Sequence, residues 1–153
     1  PRKIIEILKE WVSKEKEYIE RGENFHIGIL LHGPPGTGKT SMASVIASEL
    51  NRKLFVITPT TSEIRRTVEP KSVVLYDECD EMFPSREFDK TNKKEVSDYL
   101  SQLDGPLSPH DVIRVYTTNN IDNLDPSFLR KGRCDYIFEF KNKVEPGGHI
   151  KCH

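Results

Sequence analysis

The 153 residues are enough for one compact core and too few for two ordinary domains. With 23 Lys+Arg against 24 Asp+Glu the net charge is -1, so no global field recruits nucleic acid or a membrane surface. No apolar run approaches the roughly 20 residues that span a bilayer, and three scattered cysteines (Cys79, Cys134, Cys152) do not make a disulfide framework, which favours a reducing intracellular compartment.

Apolar residues at Ile4, Ile7, Leu8, Trp11, Val12, Tyr18 and Ile19 recur at helical spacing and predict a helix from Lys3 to Ile19. Arg21-Gly22-Glu23-Asn24 breaks it, and His26 to Leu31 reads as a short apolar strand. Lys39 to Leu50 is the next helix, with Met42, Val45, Ile46 and Leu50 on its apolar side. Lys53 to Thr58 and Ser72 to Tyr76 are strands, with at best two helical turns, Ser62 to Glu69, between them. The 72–76 strand is almost wholly apolar, as a strand buried on both faces must be.

A polar loop from Met82 to Thr91 leads to a helix over Asn92 to Leu103, stopped by Gly105-Pro106. Asp111 to Thr117 and Tyr136 to Phe140 are the fourth and fifth strands, with a short helix near Pro126 to Arg130 between them. Strands alternating with helices predict a three-layer α/β fold around a mostly parallel five-stranded sheet. The expected organisation is a core over 1–140 and a flexible polar tail over 141–153. Cys152, His149 and His153 fall in that tail and read as tail residues rather than metal ligands.

Gly33-Pro34-Pro35-Gly36-Thr37-Gly38-Lys39-Thr40 fills the whole G-x-x-x-x-G-K-[ST] pattern, with a strand before it and a helix after it. Glycines let the backbone wrap phosphates and turn N–H groups inward. The helix start adds unpaired donors and a favourable dipole. Lys39 is the candidate partner of the β- and γ-phosphates of ATP, and the Thr40 hydroxyl is a candidate ligand of Mg2+.

Val73-Val74-Leu75-Tyr76-Asp77-Glu78 puts two carboxylates at the carboxyl end of a buried strand, the edge where open α/β sheets bind ligands. Asp77 is suited to hold the magnesium, and Glu78 to orient and polarise an attacking water. The fourth strand runs into Thr118-Asn119-Asn120, and an amide there can face both water and γ-phosphate. The residues alone do not choose between Asn119 and Asn120. Leu124 to Asp135 then carries Arg130 and Arg133 around Gly132, which on their own read as helix-end arginines paired with surface acids.

Together these motifs resemble the AAA family of ATPases over roughly Ile4 to Phe140. The resemblance implies that Asn119 is the sensing asparagine, and that Arg130 and Arg133 are arginine fingers reaching a neighbouring subunit's nucleotide. It implies a homo-oligomeric ring that couples ATP hydrolysis to remodelling or moving a macromolecule, with protein the expected substrate. The neutral overall charge and the lack of a basic stripe make nucleic acid an unexpected partner. Trp11, then Tyr18-Ile19-Glu20-Arg21-Gly22 and Gly28-Ile29-Leu30-Leu31-His32-Gly33, are similar to the branch containing the translocase of the mitochondrial Rieske iron–sulfur protein. That branch makes a mitochondrial location an expectation by resemblance. Two departures stand out. Thr58 to Val68 lacks the aromatic–aliphatic–glycine pore loop of many family unfoldases, and the sequence stops before the family's helical lid. Two further functions are a nucleotide-gated assembly module with negligible turnover and a nucleic-acid motor or loader.

Overall fold

The computed structural model describes residues 2–57, 70–82, 110–124, 126–129, 134–141 and 151–152. The expected helices over 62–69 and 92–103, the pore-loop segment, the loop beyond Met82, and both Arg130 and Arg133 lie outside the described residues.

The sheet is built from β1 (His26–His32), β2 (Lys53–Ile57), β3 (Ser72–Tyr76), β4 (Val112–Thr118), β5 (Tyr136–Lys141) and β6 (Lys151–Cys152) in the order β2-β3-β4-β1-β5-β6. The first five are mutually parallel, as the strand–helix alternation predicts. The sixth pairs antiparallel with Phe140 and Lys141. It falls in the segment read from sequence as a flexible tail. Strand pairing draws on backbone donors and acceptors, which leave no apolar pattern to read.

Alternation along the central strands divides the core in two. Ile27, Ile29, Leu31, Val73, Leu75, Ile113 and Val115 face one side, packed with α1 (Arg2–Val12) and α3 (Lys39–Glu49). Leu30, Val74, Tyr76, Val112 and Tyr116 face the other, with Cys79, Leu124, Phe128 and Cys134. Every residue of β3 and β4 is buried; β3 is accordingly apolar at the successive positions Val73 to Tyr76, whereas β4 also buries Arg114, Thr117 and Thr118. Tyr116 stacks on Tyr76 at 4.9 Å between ring centroids and meets Phe128 edge-on at 4.6 Å.

The first helix differs from its sequence reading. It divides into α1 and α2 (Glu15–Glu20). The Ser13 hydroxyl donates to the Glu10 carbonyl at 2.5 Å, and the Lys14 amide bonds three residues back to Trp11. Such local bonds tighten the turn and end the α-helical ladder. The phase shifts beyond the break, so Tyr18 packs edge-on against Phe25 while Ile19 is 58% exposed. Val45, read as an apolar-face residue of α3, is exposed; Ala43 and Ala47 take the buried positions beside Met42 and Ile46.

At the amino-terminal edge of the sheet a buried ion pair ties several elements together. Arg52 Nη2 meets Asp111 Oδ1 at 2.8 Å, with side chains only 7% and 6% exposed, and Arg52 Nη1 donates to the Asp111 carbonyl at 3.0 Å. The Asp111 amide donates to Phe25 O, and its carbonyl accepts the Lys71 amide. The Arg52 guanidinium also lies 5.8 Å from the centroid of Trp11, which stacks on Phe25.

Candidate nucleotide site

Sheet order decides where the motifs meet. β3, β4 and β1 are successive neighbours, so the segments leaving their carboxyl ends (Asp77-Glu78, Asn119-Asn120 and the 33–38 loop) converge on one edge. A cavity of about 290 Å³ opens there. Pro35, Gly36, Gly38, Lys39, Thr40, Asp77, Glu78 and Asn119, all sequence candidates, line it.

The loop takes its shape from glycine. Gly36 and Gly38 adopt φ of +79° and +91°, a region side chains rarely enter, and Gly38 then caps α3. Gly33 sits at φ +148°, where a Cβ would run into the Phe140 carbonyl of β5. Gly33, Pro34 and Thr37 are not among the lining residues. They hold the lysine instead: Lys39 Nζ donates to Gly33 O at 2.6 Å, Pro34 O at 2.7 Å and Thr37 Oγ1 at 3.4 Å. Burial lowers the Lys39 ammonium below its ordinary value, opposed by the charge of Asp77.

Across the cavity the Thr40 hydroxyl donates to Asp77 Oδ1 at 3.0 Å. The same oxygen accepts from Thr117 Oγ1 at 2.6 Å, and Thr117 Oγ1 accepts the Glu78 amide at 3.1 Å. Glu78 is exposed to the cavity at φ +54°, an uncommon backbone state for a residue with a side chain. A hydroxyl and a carboxylate at this spacing, in a polar cavity, form a hard-oxygen donor set that fits a magnesium ion. The glycine cradle with its ammonium fits a triphosphate.

The two asparagines part company. The Asn120 side chain accepts the Asp122 amide at 3.0 Å and caps a 3-10 turn over Ile121–Asn123, whereas Asn119 lines the cavity. Ser41, Thr117 and Thr118 also line it, and the sequence reading gives them no role. The available signal was the pair of hydroxyls ending an otherwise apolar strand. Burial keeps His32 below its ordinary value, with Glu139 opposing, so the ring beside the loop is neutral near pH 7. Burial also raises the Cys79 thiol well above its usual range, which removes it as a nucleophile. Among the described residues no group of three or more His, Cys, Asp or Glu gathers to hold a metal, and no helix is long and apolar enough to cross a membrane.

A phosphate cradle between a strand and a helix, facing an acid-ended strand of the same parallel sheet, defines a P-loop nucleoside triphosphatase. The family described as "ATPase family associated with various cellular activities (AAA)" matches residues 29–142. The chain is 34% identical to the mitochondrial chaperone BCS1 of Bos taurus, over 87% of this chain and 36% of that protein. It is 31% identical to the probable mitochondrial chaperone BCS1-A of Dictyostelium discoideum, over 94% and 38% respectively. It is also 32% identical to the ATP-dependent zinc metalloprotease FtsH of Ureaplasma parvum, over 86% and 20%. The chain belongs to the AAA family of ATPases, whose domain carries out ATP hydrolysis. It spans little more than a third of the length of the BCS1 relatives.

Proposed function

We propose that this domain hydrolyses Mg-ATP by in-line attack of water on the γ-phosphate, and that the protein couples this to remodelling or moving a protein substrate. Lys39 and the 33–38 loop hold the phosphates. Thr40 and Asp77 would hold magnesium, which when bound supplies positive charge against the phosphate oxygens. Glu78 takes up the proton of the attacking water, and Asn119 orients water and γ-phosphate. Arg130 and Arg133 act in trans within a homo-oligomeric ring. Similarity to proteins named mitochondrial chaperones supports a protein substrate and a mitochondrial setting.

The observation that carries this reading is the Thr40–Asp77 contact of 3.0 Å inside a cavity also lined by Lys39, Glu78 and Asn119. The test is Glu78→Gln. It should retain ATP binding by calorimetry while phosphate release falls by roughly 100-fold or more. Equal turnover in the two proteins removes Glu78 from the role. Arginines acting in trans also require activity per subunit to rise with protein concentration, and a flat dependence with a monomeric mass by light scattering refutes them for this chain.

A further inference from the structure

We infer that Thr117 is a positioning residue for hydrolysis: its hydroxyl fixes Asp77 and Glu78 relative to each other and so aims the carboxylate that activates water. The inference rests on the function proposed above.

Thr117 is the next-to-last residue of a strand buried from end to end, and it is itself 2% exposed. A hydroxyl so placed is costly unless it is paired. Both of its hydrogen bonds go to one turn on the neighbouring strand: the hydroxyl donates to Asp77 Oδ1 at 2.6 Å and accepts the Glu78 amide at 3.1 Å. The strand's own ladder needs neither bond, because β4 pairs with β3 and β1 through its backbone.

The held turn is a strained one. Glu78 sits at φ +54°, a state that costs a side-chain-bearing residue free energy and persists only where surrounding contacts impose it. The Thr117 oxygen is the contact at its amide. Asp77 Oδ1 meanwhile accepts two hydroxyls, Thr40 and Thr117. Thr40 would also hold a cation, whereas Thr117 bonds only to the turn, so its hydroxyl would hold the Asp77 carboxylate whether or not a cation is bound.

Thr117→Val preserves β-branching and volume and removes both bonds, while Thr117→Ser keeps the hydroxyl. In steady-state phosphate release, T117V should lower kcat by about tenfold or more with the KM for ATP within about threefold, and T117S should stay within about threefold of wild type. A readout without nucleotide accompanies it. NMR-detected amide hydrogen exchange at Glu78 should be faster by about tenfold or more in T117V and unchanged in T117S. If T117V does not fold, T117A carries the same comparison. Wild-type turnover in T117V, equal losses in T117V and T117S, or unaltered Glu78 exchange in T117V overturns the inference and leaves the proposed function standing. Absence of phosphate release by the wild-type chain overturns that function, and amide exchange still decides the Thr117 bond.

Discussion

Thr40 and Asp77, 37 residues apart in the chain, bring a hydroxyl and a carboxylate oxygen to 3.0 Å. The contact joins the first turn of α3 to the end of β3, and Asp77→Asn keeps its shape while removing its charge. Calorimetry with and without magnesium should show the magnesium-dependent part of ATP affinity falling by roughly tenfold or more. An unchanged magnesium dependence would take Asp77 away from the metal.

Lys39 makes ATP binding sensitive to alkaline pH. Its ammonium is lowered from an ordinary 10.5 by burial. A bound triphosphate favours the charged form, so the pKa with nucleotide is the higher of the two. Affinity is therefore full below the nucleotide-free pKa and is lost as pH rises through it towards the bound value. Titrations from about pH 7 to about pH 10 should show weakening affinity with growing proton uptake. Lys39→Ala should bind weakly at every pH, and a flat wild-type profile would show that the ammonium does not meet the phosphates.

Much of the architecture is legible because buried parallel strands must be apolar at successive residues. Val73-Val74-Leu75-Tyr76 shows this directly, and its strand is where the sequence places it. The phosphate loop is legible because glycine at Gly36 and Gly38, followed by Lys39-Thr40, answers one chemical need. Other features leave weaker traces. A serine is compatible with an exposed helix, so the break at Ser13 depends on where its hydroxyl turns. Asn119 and Asn120 carry identical side chains, and the Asp122 amide separates them only in three dimensions. Thr117 looks like a β-branched strand former until its two bonds to the neighbouring strand are seen.

Two glycines with positive φ should differ sharply on substitution. Gly22, at φ +68°, has nothing within 4 Å of where a methyl group would stand, so Gly22→Ala costs backbone strain alone, about 1 kcal/mol. Gly33→Ala adds a collision with the Phe140 backbone, which cannot turn aside as a side chain does. It should cost upwards of about 3 kcal/mol or yield no folded protein. Matching urea midpoints for the two variants would contradict the close approach of loop and β5.

The Arg52–Asp111 pair should be a stability element remote from the chemistry. Removing one partner leaves a buried charge, so Arg52→Ala or Asp111→Ala should each cost about 3–5 kcal/mol in denaturant unfolding. The double variant should cost clearly less than the sum of the two. Simple additivity would mean that the charges act independently.

The loop, the acidic turn and the sensing amide leave three adjoining strands, and the amide of Gly33 is itself bonded to the Thr118 carbonyl at 3.2 Å. Their spacing is thus inherited from interstrand rungs about 4.8 Å apart rather than from flexible connections. Side chains that never approach nucleotide, such as Leu75 and Val115 paired across β3 and β4, share in holding the reacting groups at their stations. Loosening the interior there would misalign the chemistry well before the fold itself gave way.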